Sequence, residues 1–579
     1  VDTVETVLLV LMLGAVTGIA ARYLRAIPLP LIQIALGALL SWPRDGLHIA
    51  FDPALFLLLF IPPLLFSDGW RIPKREFFKL YKPILRLAFG LVFVTVLGLG
   101  WLIHWMIPQV PLTVAFALAA VVSPTDAVAV SAITRNLGMP AKTMHILEGE
   151  SMLNDASGLV ALKFAVVATL TGVFSWSGVA REFAWVAVGG LGVGVALGWG
   201  FAWLRDMVTR RLGDLAATQM VMLLLLLPFA AYMLGERLGV SGILAAVSAG
   251  FATNYADLQR GDFISERMQS AGAWAMIESA FNGAIFLLLG LQLPSIVGSM
   301  AQSPYGGWEL AGYVLAISAA LLILRWGWLV LAMQGSLLKA HLEGKMAEHP
   351  SWLLHLASTL AGIRGAVTLA GALSVPLMVD SHTPFPARDL LIFLATGTII
   401  VTLVLGSVGL PLVLRRLPRA VDPPEAREER DARLAACRAA IATLAQEPDR
   451  PEATQPDWLA QYQEVVGRLT QDYRRRIGLL DDGSDASATT AEARAETPEA
   501  QRQRRLRYLL ELELRLKCLH VERDTLYAER HRHRINDESL RNLVTELDLS
   551  EISVNKRLKV ARQTAAAEAA RRPAGDREA

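Results

Sequence analysis

Glu148, Glu150, Ser151, Asn154 and Asp155 bring three carboxylates, a hydroxyl and a carboxamide into one apolar stretch, Leu147 to Gly158. A charged side chain at the bilayer centre costs at least ~2.5–3.5 kcal/mol on insertion scales, so a membrane segment that keeps several acids implies a role in moving ions. On a helix the spacing i, i+1, i+4, i+5 gathers residues 150, 151, 154 and 155 on one face, with Glu150 over Asn154 and Ser151 over Asp155. These are oxygen donors, the type favoured by hard cations. A carboxylate among them can hold a proton or a metal ion, and competition for that one group would couple two fluxes without a separate gate.

Other polar groups fall at membrane depth. Ser123-Pro124-Thr125-Asp126 interrupts an apolar run, and Pro124 removes an amide donor and clashes with the preceding turn. Non-helical backbone at that depth is tolerated inside protein or beside a water-filled cavity. Asp126 can offset the exposed amides of a half-helix N-terminus; a plain proline kink with a buried acid is the alternative, and the acid speaks against it. Gly362-Ile363-Arg364-Gly365 is a second interruption, in the other half of the chain, and it carries an arginine. Interrupted segments at corresponding places in two halves point to a transporter binding site. Arg325, in Leu324-Arg325-Trp326, needs a carboxylate. Glu150 is the first choice and Asp155 the second, and such a pair can simply pin helices together. Asp68 and Glu148 are candidate carboxylates of a cytoplasmic approach path; alternatively Asp68 begins a basic loop and Glu148 caps a helix. Glu278 and Asn282, one turn apart, suggest an internal hydrogen-bonding role, while Lys163 can pair inside the bundle or snorkel.

These residues must be held by a membrane bundle. The chain has 579 residues, 53% of them hydrophobic, with a formal net charge of +2. Apolar runs dominate to about Arg419, and beyond it the chain turns rich in Arg, Glu, Gln and Ala. The expected domains are a transmembrane part, 1–418, and a soluble helical part, 419–579, with a flexible linker near 481–496. Thirteen spans are predicted, near 4–24, 28–41, 51–67, 82–106, 111–135, 142–172, 183–208, 214–236, 239–254, 271–294, 308–339, 351–379 and 386–414. The first is read as a transmembrane helix, not a removed signal. Basic residues cluster on alternate connections, among them Arg71, Lys74, Arg205 and Arg210. By the positive-inside rule this places the N-terminus outside and the tail in the cytoplasm. Spans 1–6 and 8–13 would form two inverted repeats whose fifth and twelfth members are the broken crossing helices. The fold class is therefore an all-α polytopic membrane protein. Cys437 and Cys518, both in the tail, are expected to be free thiols.

In these motifs, taken in order, the chain resembles the monovalent cation/proton antiporter family of bacterial NhaP proteins and animal sodium/proton exchangers. The resemblance rests on Ser123-Pro124-Thr125-Asp126, Glu150-Ser151-Met152-Leu153-Asn154-Asp155, Arg325 and Gly362-Ile363-Arg364-Gly365, supported by Pro62-Pro63-Leu64-Leu65-Phe66 and Phe286-Leu287-Leu288-Leu289-Gly290. It covers roughly residues 1–418. It implies that Asp155 carries ion and proton, and that sodium would be held by Asp155, Ser151 and the Thr125 carbonyl. Asp126 would organise the broken helices and hydrogen-bond toward Asn154, and Glu150 and Arg325 would form a structural ion pair. The Asn-Asp sequence is that family's mark of electroneutral exchange. The resemblance also implies a homodimer with core and dimer domains. One departure stands out: other members carry an acid at the position of Ser67, whereas here the acid is Asp68, rotated by ~100° around a helix.

The expected function is exchange of sodium or lithium for a proton, one for one, by alternating access in the bacterial inner membrane. Potassium/proton exchange is the alternative, and a tail-regulated cation channel is a further one. No intramembrane hydrolase motif is present: there is no Gly-x-Gly-Asp pair and no Gly-x-Ser-x-Gly turn on a suitable element. Neither a cofactor nor a nucleic-acid partner is expected; membrane lipid and a second copy are. In the tail, helices are predicted over Glu425–Gln446 and Pro456–Leu480, from Thr497-Pro498-Glu499 onward, and from Asp537 toward Ala567. Residues Arg571 to Ala579 are expected to be disordered. His531 and His533 lie in a basic run that reads as a solvated face or, alternatively, a pH sensor.

Overall fold

The structure is a computed structural model. It describes residues 3–20, 28–42, 53–134, 139–171, 176–212, 216–257, 264–300, 304–342, 351–379, 384–417, 424–446, 456–482 and 498–570, with single positions 23 and 137. The chain divides into two compact units, Val1–Arg419 and Ala420–Ala579.

The first unit is a helical polytopic membrane protein. Its helices are α1 (Thr3–Ala20), α2 (Leu29–Ser41), α3 (Pro53–Arg71), α4 (Lys74–Leu85) and α5 (Val92–Met106), the last two joined by a π-helical stretch, Arg86–Leu91. There follow α6 (Leu112–Val122), α7 (Ala127–Thr134), α8 (Ala141–Thr171), α9 (Trp176–Leu212), α10 (Ala217–Arg237), α11 (Gly242–Asp257) and α12 (Ile264–Met300). The unit ends with α13 (Gly307–Leu342), α14 (Trp352–Leu360), α15 (Ala366–Leu373) and α16 (Arg388–Leu414). Among the described residues, eight segments are long and apolar enough to cross a membrane, by length and composition, and shorter apolar helices accompany them. Each expected span falls on a helix or on a broken pair.

Two groups of helices carry the site. In one, α11 packs along α9, α3 and α10, and α12 packs along α2 and α1. In the other, α6 packs on α5 and α8, α8 on α4 and the π-helical stretch, and α16 on α13, α14 and α15. They meet where α3 and α12 face α8 and α15. Helices in a membrane gain little from the hydrophobic effect and associate through close packing at small residues. The α2–α12 contact shows this: a Cβ on Gly37 would lie 2.3 Å from the Leu287 carbonyl oxygen, and one on Gly290 would lie 2.1 Å from that of Ile34.

Several boundaries differ from the sequence reading. The fourth span begins earlier, at Lys74, because Lys74 is buried and not a loop cation. Its Nζ donates to the carbonyls of Gly69, Trp70 and Ile72 at 2.9, 3.2 and 3.0 Å. It thereby satisfies acceptors at the C-terminus of α3, where a cation also suits the helix dipole. Arg205, also counted with a basic connection, is buried inside α9 and lies 3.8 Å from Glu266 of α12. The π-helical stretch was not foreseen; Ser157 of α8 donates to its Ala88 carbonyl at 2.8 Å. The twelfth span is helical only to Leu373, after which the chain turns, and Met378 and Pro384 form an isolated bridge.

The second unit consists of α17 (Pro424–Leu444), α18 (Pro456–Asp482), α19 (Pro498–His531) and α20 (Asp537–Ala570). Helix α18 takes in the first two residues of the expected linker; positions 483–496 and the terminal 571–579 lie outside the described residues. Its core joins Cys437, Ala440 and Leu444 to Val465, Leu469 and Tyr473 and to Leu510, Leu514 and Cys518. Both thiols are free and buried. Arg523 pairs with Asp548 and Glu551 of α20, all three buried. His531 ends α19, and His533 follows in the left-handed conformation, φ 57°.

Candidate functional site

The two broken spans touch at their breaks. Between α6 and α7 the residues Ser123 to Asp126 leave the helix, because Pro124 cannot donate and crowds the preceding turn. Between α14 and α15 the chain leaves the helix from Ala361 to Gly365. The Asp126 amide donates to the Ile363 carbonyl at 2.8 Å, so each interruption satisfies part of the other's freed backbone. A Cβ at Gly365 would sit 2.0 Å from Asp126 Oδ2, so only glycine allows this approach. The Arg364 amide donates to Thr402 Oγ1 of α16 at 3.2 Å. Its guanidinium is buried, and Nε and Nη1 have no hydrogen-bond partner among the described residues.

Helix α8 supplies the polar face. The Ser151 hydroxyl donates to the Thr125 carbonyl at 2.7 Å and accepts from the Ala127 amide at 3.2 Å. Asn154 Nδ2 donates to Thr125 Oγ1 at 2.8 Å, and the Thr125 amide donates to Asn154 Oδ1 at 3.4 Å. The expected Asp126–Asn154 hydrogen bond is not formed. Asp126 turns to its own helix instead and accepts from the Ala129 amide at 3.0 Å, an N-terminal cap of α7. Asn154 is taken up by Thr125, one residue earlier.

Arg325 Nη2 donates to Glu150 Oε2 at 2.8 Å, Nη1 reaches Glu150 Oε1, and Nε donates to the Ser358 carbonyl at 2.9 Å. Glu150 is 1% exposed and Arg325 2%. A bidentate pair this deep leaves Glu150 no access to an ion path.

A cavity of about 520 Å³, counting the part open to solvent, is lined by Asp155, Ser151, Thr125 and Asp126 on one side and by Asp68 and Glu278 on the other. Neither Asp155 nor Asp68 accepts a hydrogen bond on its carboxylate among the described residues. Ser151 Oγ and the Thr125 carbonyl oxygen each keep an unused lone pair, and both residues line the same cavity. The three groups named for sodium therefore share one wall. Asp68 belongs to this cavity despite its rotated position, since α3 runs past the break with that face turned inward. Glu148 does not line it. It lies in the third turn of α8, which begins at Ala141, so it is not a helix cap; its Oε2 is 3.4 Å from His145 Nδ1. Lys163 pairs with Glu236 of α10 at 3.0 and 3.2 Å. Glu278, expected to have an internal hydrogen-bonding role, accepts from Ser67 Oγ and pairs with Arg71 Nη1. An acid in the apolar α12 was the only signal for it, and nothing in its spacing named its partners.

A carboxylate beside paired broken helices, facing a cavity between two helix groups, is the arrangement of a secondary transporter. Residues 7–416 match the family described as sodium/hydrogen exchanger, transmembrane, and the chain belongs to that family. The family is one of membrane transporters. The chain is 42% identical over 557 residues to the uncharacterized Na(+)/H(+) exchanger YjcE of Escherichia coli, covering 94% of this chain and 98% of that one. It is 42% identical over 476 residues to the sodium, potassium, lithium and rubidium/H(+) antiporter of Bacillus pumilus, covering 81% and 69%. The solved structure of the sodium proton antiporter MjNhaP1 from Methanocaldococcus jannaschii shares the fold, with TM-score 0.54 and 19% identity over 72% of this chain and 98% of that one.

Proposed function

We propose that this chain exchanges a monovalent cation for a proton, one for one, with Asp155 as the carrying group. The observation behind this reading is the division of labour around the cavity. Ser151, Asn154, Asp126 and Glu150 are all engaged in hydrogen bonds or an ion pair, whereas the Asp155 carboxylate faces the cavity unengaged. Asp155 can then take a proton or a cation, but not both. Ser151 and the Thr125 carbonyl supply neutral oxygens for a dehydrated sodium or lithium ion. Asn154 holds the break without adding a second charge beside Asp155, which supports electroneutral exchange. Movement of the α8-containing group against the α3- and α12-containing group would alternate access. The protein would act as a homodimer in the bacterial inner membrane, with its tail in the cytoplasm.

Potassium is a second substrate worth equal testing, because a relative 42% identical is named for sodium, potassium, lithium and rubidium together. The test is dye-monitored proton flux in proteoliposomes with each of these four cations. Sodium- or potassium-driven flux without current supports exchange. Current at fixed pH on both sides would favour a channel and overturn the reading.

A further inference from the structure

Glu278 lies outside the α6–α8 polar network, yet its carboxylate lines the same cavity as Asp155. It comes from α12, in the helix group opposite Asp155. Ser67 Oγ donates to Glu278 Oε1, and Arg71 Nη1 pairs with Glu278 Oε2. Ser67 is fully buried, so it fixes the carboxylate from behind. Arg71 closes α3, and its side chain is 42% exposed against 19% for Glu278. Asp155, across the cavity, is buried. The tethered cation is thus more exposed than the carboxylate it pairs with, which shares its wall with Asp68 and faces the cavity of the buried Asp155. A guanidinium on a carboxylate that lines the cavity occupies the site that an incoming cation would use.

We propose that Glu278 is a transit site for the transported cation, and that Arg71 is its built-in competitor, displaced as a cation enters. This rests on the exchange function proposed above. The arriving ion exchanges part of its water for Glu278 oxygens while Arg71 swings to solvent. It then passes to Asp155, and Arg71 returns to Glu278. Arg71 therefore weakens cation capture at low concentration, and Glu278 strengthens it. Both act before the carrying step, so they set the cation concentration for half-maximal exchange and leave the maximal rate little changed. A purely structural clamp would show neither effect.

The test is proton flux in proteoliposomes of the full chain, with sodium and with potassium, for wild type, Glu278→Gln, Glu278→Asp, Arg71→Gln and Arg71→Lys. The expected result for Glu278→Gln is a half-maximal concentration raised about tenfold, with a maximal rate within about twofold of wild type. Arg71→Gln should lower it by about threefold. Arg71→Lys should lie near wild type, and the double Gln variant should match Glu278→Gln, because Arg71 acts through Glu278. Arg71→Gln keeps the test open if a Glu278 variant fails to fold, since the Arg71 side chain is partly exposed. An unchanged half-maximal concentration in Arg71→Gln, or loss confined to the maximal rate in folded Glu278→Gln, overturns the proposal. Absence of any cation-driven flux in wild type would instead overturn the exchange reading itself.

Discussion

The Asp126 amide and the Ile363 carbonyl, 2.8 Å apart, join the two broken spans of the membrane unit through one backbone hydrogen bond. The bond fixes how close the two interruptions lie. Gly365 is two residues from Ile363 and leaves no room for a side chain against Asp126.

Gly365→Ala is expected to separate the crossing. The added methyl would fall within 2.6 Å of three Asp126 side-chain atoms, none of them on a long flexible chain. Overpacking of this kind costs about 1–3 kcal/mol. Folded yield should fall and proton flux should drop at least about tenfold. Wild-type flux in this variant would show that the crossing tolerates widening.

Asp155→Asn should abolish cation-driven proton flux while the protein still elutes as a folded species. The amide is nearly isosteric and can hold neither a transported proton nor a cation charge. Dye-monitored flux in everted vesicles measures it; persisting exchange would move the carrying role to Asp68, the other unengaged carboxylate of the cavity.

Breaking the Glu150–Arg325 pair is a stability experiment. Removing one partner of a buried ion pair costs about 3–5 kcal/mol, whereas replacing both by apolar groups is often neutral. Glu150→Gln should therefore reduce detergent-stable yield strongly, and Glu150→Leu with Arg325→Met should recover part of it. Fluorescence-detected size-exclusion chromatography across a temperature series checks this. A double variant less stable than either single one would refute it.

The tail carries its own pH dependence. Burial pushes the Glu522 carboxyl above the usual range, and the hydrogen bond from Tyr473 and the charge of Arg476 only partly oppose this. The folded state therefore binds the proton more tightly than the unfolded state. Stability of this unit should fall as pH rises from the ordinary carboxylate range through the raised value, and level off above it. Glu522→Gln should flatten that slope, as read by hydrogen exchange in α18 and α19 of the full chain. Burial and the Glu522 charge also push Cys518 up to about 11, so its thiol should react slowly with alkylating reagents at neutral pH.

The helical polytopic fold was legible because membrane spans announce themselves by length and apolarity, and the breaks because Pro124 and the Gly362–Gly365 segment sit inside such runs. The α8 face was legible from four positions at helical spacing. What stayed hidden depends on contacts between distant segments. Lys74 reads as a loop cation until the carbonyls at the end of α3 are seen around it. The resemblance pairs Asn154 with Asp126 and the structure pairs it with Thr125, because a one-residue difference inside a non-helical break follows no period. Asp68 and Glu278 converge because α3 and α12 face one cavity, and no local pattern encodes which faces of two helices meet.

Lys163 lies two turns from Asp155 along α8, about 12 Å, and its bond to Glu236 spans the two helix groups that the proposed cycle moves apart. In the proposed cycle such a bridge would hold in the arrangement described and break as the two groups move. It therefore acts as a bias on the resting ratio of the two arrangements. A partly exposed pair contributes about 0.2–1 kcal/mol, which shifts that ratio by up to about fivefold. Because salt screens exposed charges, the ionic strength of the bathing medium becomes a dial on how long the protein dwells in the arrangement seen here.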